Sequence, residues 1–206
     1  MKHNLSIETA GLTLEKASKA LIMIHGRGGS ARDTLSLSQY LQVDDFALLA
    51  PQATNHTWYP HSFIAPVDQN EPWLSSAIEL IDEAAQRALG AGIPNDNIYF
   101  FGFSQGACLS LEYLARNAQK YGGAVAIIGG VIGETINSNH YKGDFQQTPI
   151  FLGTSHPDFH VPLERVNETR DILRDMNADV TVEVYENAGH AILQEEINWA
   201  NKHIFK

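Results

Sequence analysis

At 206 residues the chain is long enough to bury a substantial core, and one domain spanning residues 1–206 is expected. A net charge of −10 and a pI near 5.3 leave no basic face to neutralise phosphates, which argues against a nucleic-acid partner or an anionic membrane surface. The single cysteine, Cys108, permits no internal disulfide, Met1–Ser6 has no apolar signal core, and no run approaches the ~18 apolar residues of a membrane span. A cytoplasmic protein with no stable membrane insertion is therefore expected.

In chain order, residues 5–16 alternate weakly around Ala10-Gly11 and read as a short edge hairpin. Ala20–Ile24 is a continuous apolar run, as expected of a strand covered on both faces, and it ends in His25-Gly26-Arg27-Gly28-Gly29-Ser30. That glycine-rich loop can turn backbone N–H groups toward one point, as a phosphate cradle or as half of an oxyanion hole. It lacks both the Lys-Ser/Thr ending of a P-loop and the spacing of a dinucleotide fingerprint, which weakens the phosphate reading. A helix from about Ala31 to Gln42 follows, with Leu35, Leu37, Tyr40 and Leu41 as its apolar residues, and then a strand, Phe46–Ala50, stopped by Pro51.

Gln52 to Pro72 has no clear period, and a loop of that length inside a compact domain is usually functional or mobile. Its aromatics, Trp58, Tyr59 and Phe63, stand after a strand end, where they can wall an apolar pocket; packing on the core is the alternative for each. Leu74 to Ala88 keeps helical spacing and is ended by Gly90, Gly92 and Pro94. A strand from Asn97 to Phe101 leads into Gly102-Phe103-Ser104-Gln105-Gly106, and Gln105 to about Gln119 reads as a helix.

Ala124–Ile128 and Pro149–Gly153 read as further buried strands. The stretch between them, Gly129 to Thr148, is too short for an inserted helical cap, so an open site is expected. A helix runs from Pro162 to about Met176, a last strand carries Val180, Val182 and Val184, and a final helix sets Leu193, Ile197, Ala200 and Ile204 on one face. Glu195 and Glu196 on that helix are expected to face water. Strands alternating with helices throughout predict an α/β fold: a mainly parallel sheet covered on both faces.

Chemistry in such a sheet gathers beyond the carboxyl ends of the strands. Gly-x-Ser-x-Gly places a serine on a turn too tight for larger neighbours, although its three fixed positions recur by chance in about one chain of this length in fifteen. The loops after later strands add Asp158 and His190, and the order Ser104, Asp158, His190 is that of α/β-hydrolases. Asp144 or Glu134 is the alternative acid if the loop after Ile128 curls inward. His156, Asp158 and His160 have the residue types of metal ligands but lack a further cluster, and neither metal nor cofactor is expected. His25 reads as a structural residue of its turn. Solvent exposure is expected for His3, His56, His61, His140 and His203, and Cys108 reads as a small buried packing residue.

These motifs, His25-Gly26-Arg27-Gly28-Gly29, Gly102–Gly106, Asp158-Phe159-His160-Val161-Pro162 and Gly189-His190, span nearly the whole chain. In them the sequence resembles the phospholipase/carboxylesterase family of α/β-hydrolases, which includes the acyl-protein thioesterases. The resemblance implies an α/β-hydrolase fold without a cap domain and a catalytic triad of Ser104, Asp158 and His190. It also implies an oxyanion hole from the backbone N–H groups of Arg27 and Gln105. Arg27 stands where the eukaryotic thioesterases commonly carry leucine. The expected activity is hydrolysis of small or single-chain acyl esters, with an acyl thioesterase or lysophospholipase, or a hydrolase-fold receptor with little turnover, as alternatives. The expected partner is a small acyl ester, with a homodimer left open.

Overall fold

The computed structural model describes residues 2–206, and its centre is one sheet of seven strands in the order β1-β3-β2-β4-β5-β6-β7. The strands are β1 (Ile7–Gly11), β2 (Lys19–Ile24), β3 (Phe46–Pro51), β4 (Ile98–Phe103), β5 (Gly123–Ile127), β6 (Pro149–His156) and β7 (Asp179–Glu186). All neighbours are parallel except β1, which runs antiparallel to β3. The apolar runs of β2 and β3 are buried almost end to end, because helices cover both faces of the sheet. Together with the helices this is the α/β-hydrolase fold. Among the described residues no helix is long and apolar enough to cross a membrane.

The helices are α1 (Ala31–Ser36), α2 (Val67–Asn70), α3 (Trp73–Gly90), α4 (Gln105–Arg116), α5 (Leu163–Asp175) and α6 (Gln194–His203). Register assigns them to faces. Gly102, Ala126 and Leu152 are paired across β4, β5 and β6, and a Cβ on Gly102 would meet Ser110 Oγ of α4 at 2.6 Å. Phe151, on the opposite face, stacks on Trp199 of α6 with centroids 4.4 Å apart. α6 is tied to the segment after α1, since Asn201 Nδ2 donates to Tyr40 O and Gln42 N–H to Asn201 Oδ1, each at 2.8 Å.

Two local expectations are corrected. Residues 5–16 do not fold back on themselves: β1 pairs with β3, from Ile7 opposite Pro51 to Gly11 opposite Ala47. The edge is closed by a long-range partner, which alternation alone cannot reveal. The helix expected to Gln42 stops at Ser36 and tightens into a 3₁₀ turn, Leu37–Tyr40, with Tyr40 exposed. Its start follows from Ser30, whose Oγ accepts the Asp33 N–H at 3.1 Å. The segment between β5 and β6 has one 3₁₀ turn, Ser138–His140. It is fastened by Arg165, which donates to Val131 O, Gly133 O and Glu134 O.

Candidate active site

Ser104 sits between β4 and α4 with φ 54° and ψ −120°, a strained conformation that lifts its hydroxyl off the end of the sheet. Two glycines make this turn possible. A Cβ on Gly102 would lie 2.6 Å from Gly106 O, and one on Gly106 would lie 2.6 Å from His25 O and closer still to Ile24 O. The start of α4 is thus pressed against the end of β2 with no room for a methyl group, which brings the loop after β2 beside Ser104.

Asp158 follows β6 and His190 follows β7. The Ser104 hydroxyl donates to His190 Nε2 at 2.7 Å, and His190 Nδ1–H donates to Asp158 Oδ2 at 2.8 Å. Asp158 Oδ1 accepts the N–H groups of His160 and Val161, both at 2.8 Å. Burial raises the Asp158 carboxyl, but the bonds from His190, His160 and Val161 outweigh it and hold the group below the usual carboxylate range. An ionised carboxylate at this place fixes Nδ1 as the protonated nitrogen and leaves Nε2 free to accept. Asp144 instead accepts from Gln146 N–H and Asn177 Nδ2 on the surface; Glu134 is exposed, and only its backbone carbonyl is bound, by Arg165.

The loop carrying His190 is pinned at both ends. Asn187 N–H donates to His156 O at 2.8 Å, and Leu193 N–H donates to Glu196 Oε2 at 2.8 Å. Glu196 is a correction: expected in water, it is 1% exposed and lies against Gly153, where no side chain would fit. Burial, aided by the neighbouring charge of Glu195, pushes its carboxyl up to about 7 against the opposing Leu193 N–H bond. The folded protein therefore keeps a proton that the unfolded chain, ordinary at 4.5, releases. This contribution is fully present below the unfolded value and is lost as pH rises to and through 7. Glu196→Gln is expected to become more stable relative to the parent by about 2.5 kcal/mol between pH 5 and 8. Denaturant midpoints at the two pH values check this; a constant difference would count against a buried titrating carboxyl.

A cleft of about 630 Å³ opens at Ser104 and includes Arg27, Gln105, Tyr59, Phe63, Phe159 and His190 in its wall. Tyr59 and Phe63 are where the sequence expected them. Trp58 is not: it is fully buried outside that wall, its indole N–H donating to His25 O at 2.8 Å. Gln105 sets this path. Its Oε1 accepts Trp58 N–H at 2.9 Å and its Nε2 donates to Tyr59 O at 2.8 Å. Arg27 adds bonds from Nη1 to Thr57 Oγ1 and Pro60 O, and from Nη2 to His61 O. Asn70, buried on α2, accepts His61 N–H and donates to Ser62 O, so the long loop is tied internally as well.

Among the described residues, neither Arg27 N–H nor Gln105 N–H has an acceptor in the protein. His25 is buried, with its ring bonded to Gly26 O at 2.7 Å and accepting Ala53 N–H at 3.1 Å; burial lowers its pKa and keeps it neutral. His3, expected in solvent, is half-buried, its Nε2 donating to Trp58 O and its Nδ1 accepting Thr54 N–H. Cys108 reaches the cleft wall, and burial raises its thiol to about 12, which leaves it un-ionised.

Comparison with known proteins agrees with this layout. The crystal structure of a phospholipase/carboxylesterase from Dyadobacter fermentans DSM 18053 shares 51% identity at a TM-score of 0.99, covering 100% of this chain and 99% of that one. Acyl-protein thioesterase 1 of Saccharomyces cerevisiae is 26% identical over 89% of this chain and 90% of its own length. A probable carboxylesterase of Oryza sativa subsp. japonica is 22% identical over 89% and 77%. The phospholipase/carboxylesterase family matches residues 12–206. A likeness that takes in every strand from β2 onward, together with the loops that end them, makes this chain a member of that family and a carboxylic ester hydrolase.

Proposed function

We propose that the chain is a serine carboxylesterase acting on small or single-chain acyl esters through Ser104, His190 and Asp158. The observation that carries this reading is the continuous hydrogen-bonded run from Ser104 Oγ through His190 to Asp158, at 2.7 and 2.8 Å, opening on a cleft. Ser104 Oγ attacks the ester carbonyl as its proton passes to His190 Nε2, and Asp158 stabilises the imidazolium. Charge developing on the carbonyl oxygen is met by the backbone N–H groups of Arg27 and Gln105. Each such donor is worth about 3 kcal/mol, and their lack of a protein acceptor supports the assignment. His190 returns the proton to the leaving alcohol as the ester C–O bond breaks. Water, deprotonated by the same imidazole, then attacks the acyl-enzyme and releases the acid.

Tyr59 and Phe63 contact the substrate, while Trp58 packs in the core against His3 and His25. Every catalytic group comes from one chain, so a homodimer would be an addition to this chemistry and not a requirement. The single cysteine, which permits no internal disulfide, supports a cytoplasmic place of action. A thioester would enter the same attack, and the likeness to the yeast thioesterase favours it as the second reading. Turnover of p-nitrophenyl butyrate tests the proposal, with butyryl thiocholine as the thioester arm. No hydrolysis of either above that of Ser104→Ala would end it.

A further inference from the structure

Arg27 brings a cation into the cleft without an anion to balance it. Five of the seven arginines, Arg32, Arg87, Arg116, Arg165 and Arg170, lie within ion-pair distance of a carboxylate. Arg27 has no such partner among the described residues; its acceptors are Thr57 Oγ1 at 2.8 Å, Pro60 O at 3.1 Å and His61 O at 2.7 Å, all neutral. A guanidinium presents five N–H groups in a rigid fork. Three are engaged here, so Nε–H and one N–H on Nη2 have no protein acceptor. The three bonds also hold the side chain in place, so less rotamer freedom is lost when a ligand binds than at a free arginine.

The surroundings share this bias. The protein carries a net charge of −10, yet among the described residues no aspartate or glutamate lines the cleft, and Arg27 is its only lysine or arginine. The carboxylate of Asp158 is 1% exposed and held by His190; Asp33 lines a neighbouring groove that Arg27 also borders, but is not within ion-pair distance of Arg27 among the described residues. A concave wall of one sign on an acidic molecule concentrates ligands of the opposite sign.

We propose that the ester taken by this site bears a second, anionic group, a carboxylate or a phosphate, which binds the free N–H groups of Arg27. The inference rests on the hydrolase reading above and names the class of substrate. Both anions match a guanidinium fork, and the charge can reside on the acyl or the alcohol side.

Matched pairs test it. Monomethyl glutarate differs from methyl valerate in ending in a carboxylate instead of a methyl group; 1-butyryl-glycerol 3-phosphate differs from 1-butyrylglycerol in its phosphate. For at least one pair the parent protein is expected to favour the anionic member in kcat/KM by about tenfold at low salt. The preference should shrink as added salt screens an exposed cation. Which pair shows it identifies the anion together with the side of the ester that carries it. Arg27→Met should abolish the preference and Arg27→Lys should retain part of it. An arginine that merely braced the 57–61 loop would lower both members of a pair alike and leave their ratio unchanged, which would overturn the proposal. If the neutral esters are cleaved and neither anion is preferred, the substrate class is wrong while the hydrolase reading stands. If nothing is cleaved, the hydrolase reading falls, and binding to Ser104→Ala decides: calorimetry should show the anionic member of at least one pair binding more tightly than its neutral partner, and the difference vanishing with Arg27→Met. Equal binding within both pairs overturns the inference.

Discussion

Ser104→Ala is expected to reduce kcat/KM for a p-nitrophenyl ester by about 10⁴-fold or more, with His190→Ala close behind and Asp158→Asn of similar order. In the proposed mechanism the three groups act as one unit: the proton moves between Ser104 and His190, and the 2.7 Å bond between them is useful only while Asp158 holds the imidazole in the accepting tautomer. The losses should therefore fail to add: Ser104→Ala combined with His190→Ala should be little worse than either alone. Steady-state kinetics on the three single variants and the double variant give the answer. Losses that multiplied would mean that the groups act independently, contrary to the proposed mechanism. Folding should be little affected by Ser104→Ala, because alanine keeps the same backbone and removes no bond except that to His190.

Gly106→Ala should act in the opposite way, through the fold. The added methyl would lie 2.6 Å from His25 O and closer still to Ile24 O, both backbone atoms at the end of a buried strand. Neither can swing aside as a side chain would. The expected loss is about 3 kcal/mol, at the upper end of overpacking effects. Activity should fall too, as the loop bearing Arg27 is pushed from Ser104. Gly90→Ala is the matched control, because a methyl there meets nothing within 4 Å. Urea denaturation of both variants separates the cases; equal midpoints would remove the close-packing account of the turn.

Several of these features were legible in the sequence because they depend on local order. A serine between two glycines at a strand end, an aspartate after one later strand and a histidine after the next must lie on the same rim if the strands are parallel. The structure brings them together there. What stayed hidden depends on distant partners. Trp58 looked like its neighbours Tyr59 and Phe63, but the side chain of Gln105, 47 positions along the chain, takes its N–H and turns its ring into the core. Glu196 has the composition of a solvated helix start. It is buried because Gly153 leaves a space on the strand beside it and Leu193 supplies a bond. The pairing of β1 with β3 depends on a partner about forty residues away, which no alternation within residues 5–16 announces.

The side chains of Arg27 and Gln105 hold the loop from Thr57 to His61, while their backbone N–H groups are the proposed donors to the oxyanion. On the proposed mechanism, recognition and reactivity are therefore not separable modules here. A segment grafted from a relative into positions 57–61 would arrive without the anchors it evolved with, and attempts to retarget the enzyme by loop exchange must carry residues 27 and 105 along. Directed evolution confined to the long loop would be searching a landscape whose slopes are set by two positions outside it.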